Sequence, residues 1–125
     1  VKMIFIDYIG LMNAEKPRMQ RWEQIGFISR QLKEFCRECH VPLIVLAQLN
    51  RDAQGKKPTL ADLRDSGGLE QDGDIIFFLH REKEPEINAE IIETELICAK
   101  QRNGPVGTIK LNFYPELVKF EDAEA

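Results

Sequence analysis

Val1-Lys2-Met3-Ile4-Phe5-Ile6-Asp7 is an almost entirely apolar run closed by an acid. It predicts a parallel strand buried on both faces, with a carboxylate at its carboxyl end. Polar Asn13–Arg18, which contains Pro17, is a loop. From Met19 to Cys39 the apolar residues Trp22, Ile25, Ile28, Leu32, Phe35, Cys36 and Cys39 recur at steps of three and four. Arg21, Glu23, Arg30, Lys33, Glu34, Arg37 and Glu38 take the other face, so this is a surface helix covering a sheet. Pro42 marks a restart, and Leu43–Leu49 (LIVLAQL) reads as a second buried strand broken near its end by the amide of Gln48.

Asn50–Leu60 is a loop by composition, and Gly67-Gly68 extends the irregular stretch. Asp74–Leu79 (DIIFFL) reads as a third buried strand. After polar Arg81–Asn88, Glu93–Ala99 alternates polar and apolar residues over most of its length, as in a strand covered on one face. The turn Asn103-Gly104-Pro105 leads into Gly107–Tyr114, alternating through Ile109, Leu111 and Phe113, and Leu117–Phe120 reads as a short last strand before a frayed acidic tail, Glu121–Ala125. The expected class is α/β, a parallel sheet core with a flanking helix and antiparallel C-terminal hairpin strands. There are no internal repeats and no domain boundary.

With 125 residues this is one domain or a piece of one, and 43% hydrophobic content permits a real core. Nowhere is there an apolar run long enough to span a bilayer, so the default is a cytoplasmic protein without a membrane partner. The net charge of −4 gives no whole-domain footprint for nucleic acid, although one locally basic loop could still grip phosphate. Three cysteines do not make a disulfide framework. Cys36-Arg37-Glu38-Cys39-His40 spells the C-x-x-C-H pattern of haem attachment, but it closes an amphipathic helix that runs into a buried strand. A zinc set of Cys36, Cys39, Cys98 and His80 has metal-ligand spacing in only one pair. Reduced thiols on or near the core account better for these residues.

Four segments carry the functional signal: Val1–Asp7, Leu46–Arg51 (LAQLNR), Asp62–Asp74 (DLRDSGGLEQDGD) and Lys100–Pro105 (KQRNGP). Each sits where an apolar strand meets a polar loop, the place where α/β sheets keep their chemistry. In this order, and over essentially the whole chain, they resemble the second half of the motor domain of DnaB-type replicative DNA helicases. The resemblance implies a partial RecA-like, P-loop NTPase fold, with residues 1–125 as the C-terminal part of a helicase ATPase domain and the Walker A half absent. No G-x-x-x-x-G-K-[ST] segment occurs. Gly55-Lys56-Lys57-Pro58-Thr59 lacks the earlier glycine and the hydroxyl and puts Pro58 where a helix must begin, so it reads as an exposed basic loop.

The resemblance also implies roles. Asp7 looks like the Walker B aspartate, holding Mg2+ through water against ATP phosphates. Gln48 would lie beside the γ-phosphate and couple its presence to the DNA loop, with Asn50 and Arg51 in support. Arg64, Asp65 and Gly67 match family positions that meet single-stranded DNA, where a guanidinium and backbone N–H groups grip phosphate without reading bases. Asp65 stands where glutamate is more familiar, and Gly68 where serine is common. Lys100 and Arg102, projecting on the same side of a strand end, resemble the arginine-finger strand that enters the ATP site of the adjacent subunit. The implied whole is a hexameric ring that couples ATP hydrolysis to translocation and unwinding, with primase and a helicase loader as partners and no appreciable ATPase in these residues alone. Two other classes stay open: a recombinase or circadian-kinase relative with the same sheet, and a non-enzymatic module for single-stranded DNA or protein.

Overall fold

The computed structural model describes residues 1–15, 18–49, 55–63 and 68–123. They form two compact units, Val1–Arg51 with Leu60–Gly73 and Asp52–Thr59 with Asp74–Ala125. The first is built on strand β1 (Ile4–Ile6), helix α1 (Arg21–Cys39), strand β2 (Leu43–Val45) and the short helix α2 (Leu69–Asp72). β1 and β2 pair in parallel, Ile4 opposite Leu43, Phe5 opposite Ile44 and Ile6 opposite Val45. The helical run between them supplies the long crossover that a parallel pair requires.

The core of this unit is Ile9, Ile25 and Ile28, with Met12, Ala14, Leu32, Val45 and Leu69 packed against it. The three-and-four spacing of α1 therefore points where it predicts, but the buried stripe is narrower than expected. Trp22 and Phe35 are half exposed and Cys39 is exposed. Within residues 1–125, alternate residues Phe5 and Ile44 are 64% and 43% exposed, on the face of β1 and β2 away from the side that carries Val45 onto the core.

α1 begins with the Gln20 backbone N–H donating to the Glu23 carboxylate at 2.9 Å and ends at His40, whose left-handed φ of 52° turns the chain toward β2. Cys36 and Cys39 form the last turn before that cap, and all three cysteines are free thiols.

The second unit is an antiparallel sheet in the order β3 (Ile75–His80), β4 (Ile92–Gln101), β5 (Gly107–Tyr114) and β6 (Lys119–Asp122). DIIFFL, expected as a strand buried like the first two, pairs instead with β4, burying Ile76 and Phe78 while Ile75, Phe77 and Leu79 are half exposed or more. β5 has the predicted bounds. The last strand starts later, because Pro115–Leu117 makes a 3-10 turn, and it runs through Glu121 and Asp122, which the sequence assigned to a frayed tail. Phe113 and Phe120 face each other across β5 and β6 with ring centroids 4.6 Å apart.

Candidate nucleotide and DNA site

Asp7 follows β1 directly, and Gln48 lies three residues beyond β2. The two strands are parallel neighbours, so both side chains belong to the same carboxyl edge of the sheet, and both are exposed. Backbone bonds tie this edge together: Leu46 N–H donates to the Ile6 carbonyl at 2.9 Å, and Ile9 N–H donates to the Leu46 carbonyl at 3.0 Å. The Asp7–Tyr8 peptide bond is cis, and residues Ile9–Leu11 then form a single 3-10 turn.

Arg21 belongs to this site, although helical periodicity places it on a solvent face. Its guanidinium donates to the Met12 carbonyl at 2.9 Å and to the Gly10 carbonyl, pinning the loop after Asp7 to the start of α1. A cation in the first turn of a helix opposes the dipole, and that mismatch was the available signal that it serves another partner.

A lone exposed carboxylate suits magnesium, which commonly takes one or two carboxylates together with waters and substrate phosphates. Among the described residues no group of three or more His, Cys, Asp or Glu side chains is assembled to hold a metal ion.

Arg64, Asp65 and Gly67 lie outside the described residues, as do Asn50 and Arg51. Immediately after them, Gly68 has φ of 89°, in the left-handed region that a residue with a Cβ rarely enters, which accounts for the second glycine. α2 is then tied to α1 by the buried Ser29 hydroxyl, which donates to the Asp72 carboxylate at 2.6 Å.

In the second unit, Gly55, Lys56, Lys57 and Thr59 are exposed, as the basic-loop reading expects, with two anchors. Pro58 is buried, and Lys57 Nζ lies 2.8 Å from the Glu95 carboxylate on β4. The Lys57 hydrogen bond holds the Glu95 carboxyl below the ordinary glutamate range; partial burial opposes this, and the charges of Lys57, His80 and Lys110 add to it.

The KQRNGP segment ends β4. Ile76 pairs with Lys100 but Phe77 pairs with Cys98, so Ala99 is the extra residue of a β-bulge. The bulge reverses the alternation, moving Lys100 to the face shared by Ile76, Phe78 and Ile97. The ladder continues past the strand, with Arg102 N–H donating to the Asp74 carbonyl at 2.9 Å. Lys100 and Arg102 thus keep the common side their spacing predicts. Arg102 Nη1 also lies 3.0 Å from Asp74 Oδ1, in a pair about half exposed on both sides. No pairing of Arg102 with Asp74 was legible in the sequence.

The family model for the DnaB-like helicase C-terminal domain matches residues 1–122. The chain belongs to this family. It is 45% identical over 120 residues to the replicative DNA helicase DnaB of Treponema pallidum, and 46% identical over 130 residues to the replicative DNA helicase DnaC of Bacillus subtilis. Those alignments cover 96% and 98% of this chain but only 26% and 28% of the relatives, so the chain spans little more than a quarter of their length. Among solved structures it is similar to a separately determined ATPase domain, with a TM-score of 0.84 at 46% identity, covering 98% of this chain and 45% of that one. A DnaB-like replicative helicase, described with its interactions with primase, gives the same TM-score and identity and is covered over 31% of its length. The fold of this DnaB-family chain is accordingly the α/β, RecA-like one expected of it. No helix among its described residues is long and apolar enough to cross a membrane.

Proposed function

We propose that residues 1–125 are the C-terminal part of a RecA-like helicase motor, which in the whole protein couples ATP hydrolysis to movement along single-stranded DNA in a cytoplasmic ring of identical subunits. The observation that carries this reading is the placement of Asp7 and Gln48 beyond the carboxyl ends of adjacent parallel strands, where open α/β sheets bind their ligands. Bound magnesium would neutralise phosphate charge there, with Asp7 as its water-mediated partner. Gln48, able to donate and accept, would report the terminal phosphate to the segment after it. Arg64, Asp65 and Gly67 would hold the phosphates of single-stranded DNA. Lys100 and Arg102 would be presented to the nucleotide of the neighbouring subunit, where a guanidinium fork offsets charge on the transferred phosphoryl group. Primase and a helicase loader are the partners proposed for the whole ring.

The phosphate-binding loop would come from outside residues 1–125, so the chain alone should hydrolyse no ATP. The test uses full-length subunits carrying this segment. Asp7→Asn should lower DNA-stimulated ATP hydrolysis by about 100-fold or more while rings still assemble, a loss comparable to removing one electrostatic partner of a transition state. Arg64→Ala should weaken binding to a fluorescent oligothymidylate and lower the salt dependence by roughly one phosphate contact. ATP turnover that survives Asp7→Asn undiminished would refute the assignment.

A further inference from the structure

We propose that Asp74 is a positioning residue for Arg102, setting the direction in which the guanidinium leaves the β4 turn. The inference rests on the reading of Arg102 as a group delivered to a neighbouring subunit's nucleotide. Three observations support it. Arg102 is joined to Asp74 twice, through the backbone bond of 2.9 Å and through the Nη1–Oδ1 contact of 3.0 Å. The backbone bond extends the β3–β4 ladder by one step past Ile75 and Gln101, so Asp74 stands opposite Arg102 at the end of the sheet. The Ala99 bulge places Lys100 and Arg102 on the same side as Ile76 and Asp74; were Ala99 paired with Ile76 in unbroken register, Asp74 would stand opposite Gln101 and Arg102 would fall on the other face.

The pair is about half exposed on both partners, so its charge attraction adds little to folding. Its consequence is geometric. An arginine has four side-chain torsions to settle, and a group that must meet a developing charge across a subunit boundary loses rate steeply when misplaced, by roughly 100-fold for an error of about 1 Å. A guanidinium carries five N–H donors in a fixed fork. The contact with Asp74 Oδ1 fixes where the Nη1 end of that fork lies relative to the sheet.

The experiment measures steady-state DNA-stimulated ATP hydrolysis by rings of full-length subunits carrying this segment, with Asp74→Asn, Arg102→Ala and the double substitution. Asparagine keeps the backbone carbonyl and the side-chain shape and removes the charge. Asp74→Asn is expected to lower kcat about 10-fold with KM for ATP within about twofold of the parent, and Arg102→Ala to lower it further. In the Arg102→Ala background Asp74→Asn should change nothing, because a residue that acts only through Arg102 has nothing left to orient. An unchanged or raised kcat for Asp74→Asn overturns the proposal, as does an equal further loss in the double substitution, which would mark Asp74 as structural. If Arg102→Ala itself keeps full kcat, the delivered-arginine reading fails and takes the positioning role with it, a result distinct from the other two.

Discussion

Substituting Gly10 by alanine tests how the loop after Asp7 is packed. A Cβ at position 10 would lie 2.9 Å from Tyr8 Cδ2 and 3.3 Å from Tyr8 Cζ, and closer still to Cε2. A ring edge cannot bend away like the end of a long side chain. Relief requires the ring to leave its rotamer, at about 1 kcal/mol, or the 3-10 turn to open, which would pull on Ile9, 3% exposed and the most buried apolar side chain among the described residues, and on the Gly10 carbonyl that Arg21 holds. Overpacking of this kind costs roughly 1–3 kcal/mol, and because Tyr8 is only half buried we expect about 1–2 kcal/mol. For a chain of this size that is roughly 3–10 °C in Tm. The sign discriminates, because a glycine-to-alanine change without a clash stabilises by about 0.4–1 kcal/mol through the unfolded chain. Urea unfolding monitored by circular dichroism would be run on Gly10→Ala, Tyr8→Ala and the pair. The alanine should cost less than about 0.5 kcal/mol once the ring is gone. Equal costs in both backgrounds, or stabilisation by the single substitution, would refute the packing argument.

Phe78→Ala, at a side chain 5% exposed on β3, should cost about 3 kcal/mol in the same unfolding assay. Ser29→Ala removes the donor to Asp72 and should cost about 1.5 kcal/mol, with faster hydrogen exchange at the Gln71 and Gly73 amides that close α2. Lys57→Met should cost less than about 1 kcal/mol at pH 7, since Lys57 is half exposed. Because the Glu95 carboxyl is lowered in the folded state, the contribution is present above its unfolded pKa and is lost as pH falls through the folded one. The difference between Lys57→Met and the parent in a pH series of urea midpoints should therefore vanish on the acid side of the ordinary glutamate range. A difference that persists there would assign the effect to packing of the lysine stem.

The candidate site was legible to different depths. Asp7 and Gln48 could be placed because each interrupts or closes an apolar run, and a strand end is a local property of the chain. Lys100 and Arg102 could be assigned to one side by period-two spacing, and the structure keeps them there, but on the face set by the Ala99 bulge. Bulges arise from the register of a partner strand, which spacing within one strand does not contain. Arg21 was missed because its one signal, a cation set against the helix dipole, does not name the partner, and the carbonyls of Gly10 and Met12 come beside it only in the fold.

By itself the sequence determined the order of the strands, the long helix and the main turns, though not all of their bounds, since these depend on side-chain period, on Pro and Gly, and on residues within a few positions of one another. It also determined the family, because four motifs keep their order, with departures only at Asp65 and Gly68. Tertiary structure decided what those local signals leave degenerate. It paired DIIFFL antiparallel with β4, laid Lys57 against Glu95, and joined Arg102 to Asp74. Each of these depends on which distant segment comes alongside, and a run apolar on both faces, or a charge with several possible partners, carries no mark of that choice.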